Sequence, residues 1–233
     1  MSTEIPPVRD ASTASKLQVL ATEHWSLLAT RSLTYTESLG RINMFLAILS
    51  GAVIALALVA QADHFGPAFI SIAVFMLSVV LLVGVFTIAR LTSLNGDDFR
   101  WVLGMNRLRS AYLELHPELE PHFITSPYDD LPGALQTLGI DATGADRLGS
   151  LFHGLQTLPG MLSLIVASVA GALGGLIALG FGGGPVVVVI AGMISFAVLW
   201  VLIAVWGRRS VRRLDPQLQP RFPSPPKPPT SRG

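Results

Sequence analysis

The sequence predicts an all-α integral membrane protein, with four transmembrane helices arranged as two hairpins and small helical cytoplasmic elements. Three observations carry this. Charged residues make up only 13% of the chain, against 51% hydrophobic residues, whereas a soluble domain carries about 25% charged residues. Mean hydropathy is +0.57. The apolar residues are also gathered into long uncharged runs, each able to supply the roughly 20 helical residues that cross about 30 Å of hydrocarbon. With no cysteine in the chain, disulfide scaffolds, thiolate metal sites and cysteine nucleophiles are excluded.

The first span is expected over residues 42–62, between Arg41 and Asp63, and the second over 65–89, between His64 and Arg90. Leu148 to Gly207 holds no acid, lysine or arginine. It divides at Phe181-Gly182-Gly183-Gly184-Pro185 into spans over 160–180 and 185–206. Lysine and arginine orient the whole. With both termini inside, all 16 basic residues face the cytoplasm and the two outer connections, 61–66 and 181–185, carry none. Residues 1–41 are mostly polar, so the first apolar run is expected to act as an uncleaved anchor. Arginine outnumbers lysine 14 to 2, a bias typical of bacterial genomes rich in G and C, and the expected location is a bacterial inner membrane.

Residues 1–11, with Pro6-Pro7, read as disordered. Residues 12–41 read as a cytoplasmic helix, with an imperfect apolar stripe of Leu17, Leu20, Trp25, Leu28, Leu33, Tyr35 and Leu39. Its balanced charges favour pairing, or continuation into the first span, over a membrane-surface helix. The cytoplasmic loop, 90–159, is the largest polar piece. Asn95-Gly96-Asp97-Asp98 signals a helix start, and Pro117 a stop after Leu115. A short helix is expected over Leu131–Leu138, capped from Tyr128-Asp129-Asp130, and another over Asp146–Thr157. A loop of this size makes a poor core alone and is expected to pack on the N-terminal helix.

The polar pieces differ in charge. Residues 90–159 hold five basic and nine acidic residues, net −4, and residues 208–233 hold seven basic and one acidic, net +6. Arg208, Arg209, Arg212 and Arg213 fix topology on the simpler reading, and meet anionic lipid headgroups on the functional one. Beyond them the tail, 207–233, is rich in proline and reads as extended and disordered.

No Asp, Glu, Lys or Arg falls inside a span, which argues against a proton- or sodium-coupled transporter. The spans instead offer small residues four apart: Ser163, Ala167, Gly171 and Gly175 in the third, and Ala47, Gly51 and Ala55 in the first. Such faces let helices approach closely, within a chain or between chains. The best candidate for chemistry is Glu114–His122, where His116, Glu118, Glu120 and His122 would share one face if extended and could ligate a metal. The simpler reading of Pro117 and Pro121 is a helix end followed by a single turn with acids at its start. No zinc-protease or nucleophile-elbow motif accompanies it, so the chain is read as non-enzymatic, without metal or other cofactor.

Asn106-Arg107-Leu108-Arg109, with Tyr112, Pro117 and Tyr128-Asp129-Asp130, resembles a widespread, uncharacterised group of bacterial four-span membrane proteins. The arm and first hairpin, with Trp25, Arg41 and a tight outer turn, resemble the two-span effector modules called SLATT domains, over residues 1–90. That second resemblance implies pore formation on a trigger, although this chain adds a second hairpin. Three functions are therefore carried forward. The first is a self-associating, non-enzymatic membrane protein whose cytoplasmic helices bind a partner or sense. The others are an oligomeric channel or pore-forming effector and, lower, a metal-dependent membrane hydrolase. Expected partners are membrane lipid, anionic lipid for the tail, a second copy and a cytoplasmic protein, with no nucleic acid.

Overall fold

The computed structural model describes residues 8–139, 157–214 and 219–226, the side chains of 8–11 and 211–214 excepted. The chain is all-α: α1 (Val8–Asp63), α2 (Pro67–Leu115), a 3₁₀ turn (Pro117–His122), α3 (Leu131–Thr137), α4 (Leu158–Gly180) and α5 (Pro185–Leu214). α1, α2, α4 and α5 each contain a stretch long and apolar enough to cross a membrane. The helix expected over 146–157 lies outside the described residues, apart from Thr157.

Three boundaries differ from the sequence reading: α1 starts earlier, α2 does not break where expected, and α5 runs on to Leu214. α1 runs unbroken from the arm into the first apolar run, one of the two arrangements expected, but begins at Val8, so part of the segment read as disordered is helical. α2 does not restart at Asn95-Gly96-Asp97-Asp98 but passes straight through it. A glycine inside a helix costs about 1 kcal/mol. Here the register is held by buried Leu91 and Leu94 before the glycine and Val102 and Leu103 after it. Asp98, read as a start signal, instead takes Arg31 in a forked pair, with Nε at 2.7 Å and Nη2 at 3.3 Å.

The α1–α2 connection is tight. His64 and Phe65 both adopt positive φ, 49° and 62°, which non-glycine residues rarely do. Asp63 holds the turn, its carbonyl accepting Gly66 N–H at 2.9 Å and its carboxylate Phe69 N–H at 2.7 Å. Between α4 and α5, Gly182 supplies the left-handed residue (φ 77°) that lets its N–H and that of Gly183 return to the Leu179 and Ala178 carbonyls.

The chain forms two compact units, and α1 and α2 contribute to both. The second unit comprises residues 36–95 and 146–213. Phe45, Leu77, Val80, Ile88, Leu91, Leu162 and Val166 form its core. Gly84 permits the close approach of α4, since a Cβ there would lie 2.7 Å from a Val166 methyl. Glu37 ties α1 to α2, accepting from Arg90 Nε at 3.0 Å and Arg41 Nε at 2.8 Å.

The first unit comprises residues 1–35, 96–145 and 214–233. Val102, Leu103, Met105 and Ala134 form its core, with Leu27, Phe99 and Leu138 packed on them. The loop thus packs on the N-terminal helix, as expected, but through a different face. Thr13, Leu17, Leu20, His24, Leu27, Arg31 and Thr34 turn inward, at the alternating spacing of four and three that keeps a seam facing its partner. The apolar stripe read from the sequence is split. Leu17 and Leu20 are half-buried, while Trp25 is 71% and Leu33 70% exposed, with Tyr35 also outside. Apolar periodicity misassigned the face because four of these inward positions are polar, and polar side chains meet partners across the seam: His24 stacks on Tyr112, ring centroids 6.1 Å apart, and Arg31 pairs with Asp98.

Candidate functional site

The densest polar construction in the first unit is built on Asn106. It sits on the inner face of α2, fully buried. Its Nδ2 donates to the Tyr128 carbonyl at 2.8 Å, and its Oδ1 accepts from Arg109 at 2.6 Å and from the Thr137 hydroxyl at 2.9 Å. One amide thereby joins α2, the loop after the 3₁₀ turn and α3. One turn on, the Ser110 hydroxyl donates to the Pro127 carbonyl, and the Ser126 hydroxyl oxygen accepts Tyr128 N–H at 3.2 Å. Asp130 caps α3, accepting Gly133 N–H at 2.9 Å. Gly133 is required there, because a Cβ would drive into the Tyr128 backbone. The cap read from Tyr128-Asp129-Asp130 is therefore present, at Asp130.

This framework presents two adjacent carboxylates to residues 219–226 of the C-terminal tail. Asp129 is 2% exposed. Its Oδ2 accepts Arg221 N–H at 3.0 Å and Arg107 Nε at 2.8 Å. Its Oδ1 accepts Phe222 N–H at 2.7 Å, and its own N–H donates to the Phe222 carbonyl at 3.1 Å. Asp130 Oδ2 accepts Ser224 N–H at 2.6 Å, and Oδ1 accepts the Ser224 hydroxyl at 2.8 Å. Every backbone N–H that Arg221–Ser224 possesses is bound, Pro223 having none. Phe222 is half-buried.

Burial raises the pKa of both carboxyls, but the donors outweigh it. The N–H groups of Arg221 and Phe222 and the Arg107 guanidinium hold Asp129 below the usual carboxylate range. The Ser224 and Gly133 N–H groups and the Ser224 hydroxyl do the same for Asp130. A carboxylate accepting several N–H bonds is stabilised as the anion. Nearby, burial and then the Arg109 charge lower the His24 pKa, so that ring is neutral at neutral pH, and burial raises that of Tyr112.

The tail thus differs from the disordered segment read from its prolines. Residues 207–214 continue α5, and 219–226 lie bonded along Asp129-Asp130. Proline content was a poor guide, because prolines pre-extend a chain without preventing capture of the remaining N–H groups. Phe222, the only aromatic residue in 207–233, was the available sequence signal. Arg208 and Arg209 are exposed on α5, and the side chains of Arg212 and Arg213 lie outside the described residues.

The structure does not gather the Glu114–His122 candidates. Pro117–His122 is a 3₁₀ turn with Glu118 and Glu120 in its first turn, not an extended strand. His116 Nδ1 meets Glu118 Oε1 at 2.9 Å on the surface. Among the described residues no group of three His, Asp or Glu side chains is placed to hold a metal ion. The small-residue faces separate. Ser163 and Ala167 are buried in the second unit. A Cβ on Gly171 would lie 3.1 Å from the Gly192 carbonyl of α5, and one on Gly175 3.4 Å from that of Val188. Ala47 and Gly51 instead face outward and Ala55 is half-buried, while Phe45 and Ala52 make the inward contacts of α1. No family model, curated protein or solved structure matches the chain.

Proposed function

We propose that this is a non-enzymatic, self-associating protein of a bacterial inner membrane, both termini cytoplasmic, whose first unit captures an extended, proline-interrupted peptide. Its own C-terminal segment is the ligand in the resting state, and a partner protein presenting a similar segment displaces it. The observation that carries this reading is the pair Asp129-Asp130, which takes the N–H groups of Arg221, Phe222 and Ser224. Carboxylates reading backbone N–H groups recognise chain direction and proline placement more than side-chain identity, as a peptide-binding surface does. Self-association is supported by the outward face of α1, where Trp25, Leu33, Ala47 and Gly51 are exposed. Orientation rests on the lysine and arginine distribution.

The test uses the full-length chain in nanodiscs. A tethered tail acts at roughly millimolar effective concentration, so the intact protein should bind a labelled peptide of residues 216–230 poorly. A full-length variant with Phe222→Pro and Ser224→Pro, which removes two of the three captured N–H groups, should take up the same peptide at roughly micromolar concentration. Adding Asp129→Asn should abolish that uptake. Absence of binding to the tail variant would end the peptide-capture reading.

A further inference from the structure

Ser224 differs from every other residue of the docked segment in giving two donors to one carboxylate: its N–H at 2.6 Å to Asp130 Oδ2 and its hydroxyl at 2.8 Å to Oδ1. It is flanked by Pro223 and Pro225. The residue before a proline is pushed out of the helical region, so the segment is extended whether docked or free, the form in which a kinase cleft takes a substrate serine. Resting on the peptide-capture reading, we propose that Ser224 is a phosphoryl-acceptor residue whose modification ejects the tail from Asp129-Asp130.

In the modification, the Ser224 hydroxyl oxygen forms a bond to the γ-phosphorus of a nucleoside triphosphate. The bond from that phosphorus to the β,γ-bridging oxygen breaks, and the diphosphate leaves. The hydroxyl proton passes to the general base of a serine kinase acting on the released tail. The product cannot redock. A hydroxyl donor has become an acceptor bearing about −1.5 to −2 charges, set against the Asp130 carboxylate that had accepted its proton, with the Asp129 carboxylate next in the chain. The Gly133 N–H, which would otherwise favour an anion, is already held by Asp130. The one guanidinium bonded to this carboxylate pair among the described residues, Arg107, is already bound to Asp129. Like charge and lost donation act in the same direction.

The experiment compares full-length protein in nanodiscs, unmodified and with Ser224 phosphorylated through an expanded genetic code, by hydrogen exchange at the Arg221, Phe222 and Ser224 amides. Unmodified protein should protect all three. Phosphorylation should speed their exchange at least tenfold, while Ser224→Ala, which removes only the hydroxyl bond, should produce a smaller change. Equal protection with and without phosphate overturns the inference and leaves peptide capture standing. Absence of protection in the unmodified protein overturns both. Protein isolated from its own host in growth and in stationary phase should carry phosphate on Ser224 in at least one state, and its absence from both would equally overturn the assignment.

Discussion

Asp129 and Phe222 exchange two hydrogen bonds across 93 residues of sequence: the carboxylate accepts the Phe222 N–H at 2.7 Å, and the Asp129 N–H returns to the Phe222 carbonyl at 3.1 Å. This reciprocal pair registers the tail on the loop, and Arg107 and Ser224 complete the site on either side.

Replacing Asp129 by Asn keeps the shape but removes the charge and turns an amide toward donors. Hydrogen bonds to a charged group contribute about 1.5–3 kcal/mol each, and Arg107 loses its partner. Amide exchange at Arg221 and Phe222 should rise by at least tenfold, measured by mass spectrometry on the full chain. Unchanged exchange would mean that Asp129 does not hold the tail.

Acid should release the tail. Asp129 and Asp130 have pKa values lowered by docking, so the stabilisation is fully present above the ordinary carboxylate pKa and is lost as pH falls through the docked values. Protection should be flat from neutrality down to roughly pH 5 and decline below about pH 4. A decline on raising the pH from 5 to 8 would contradict this origin.

Asn106→Ala leaves the Tyr128 carbonyl and the Thr137 hydroxyl without their buried partner. The expected loss is about 2 kcal/mol or more in the first unit, read as a lower midpoint in a thermal scan in detergent. A variant as stable as the parent would show that these bonds do not hold the site together.

Small residues of the two stripes should respond differently. Gly171→Leu meets the Gly192 carbonyl and should destabilise the fold by about 1–3 kcal/mol through overpacking. Gly51, with open space where its Cβ would stand, should tolerate leucine without loss of thermal stability, and any effect should fall on subunit number measured by native mass spectrometry. Equal destabilisation by both would remove the distinction.

Because the chain lacks cysteine, topology can be read with single cysteines. Ala62 and Gly184 are suitable in the short connections: Gly184 has open space around its Cβ position, whereas Gly183 would meet the Ala178 carbonyl at 2.8 Å. An impermeant thiol reagent on intact cells should label these two and spare Gln136 and Ser231. Labelling of either of the latter would reverse the orientation.

The sequence by itself determined the helical class, the four apolar stretches, the turns that separate them and the α3 cap. These are local properties. A run of uncharged residues, a glycine at positive φ or an aspartate ahead of a short helix carries its meaning within a few positions. Tertiary structure decided the rest. That α2 continues through Asn95-Gly96 depends on burial to either side and on Asp98 pairing with an arginine 67 residues away. The inward face of α1 was hidden because His24 and Arg31 count as polar until Tyr112 and Asp98 stand opposite them. The tail was illegible for a sharper reason. What Asp129 and Asp130 recognise is mainly backbone N–H, which every non-proline residue carries, and only the fold brings those donors to the two carboxylates.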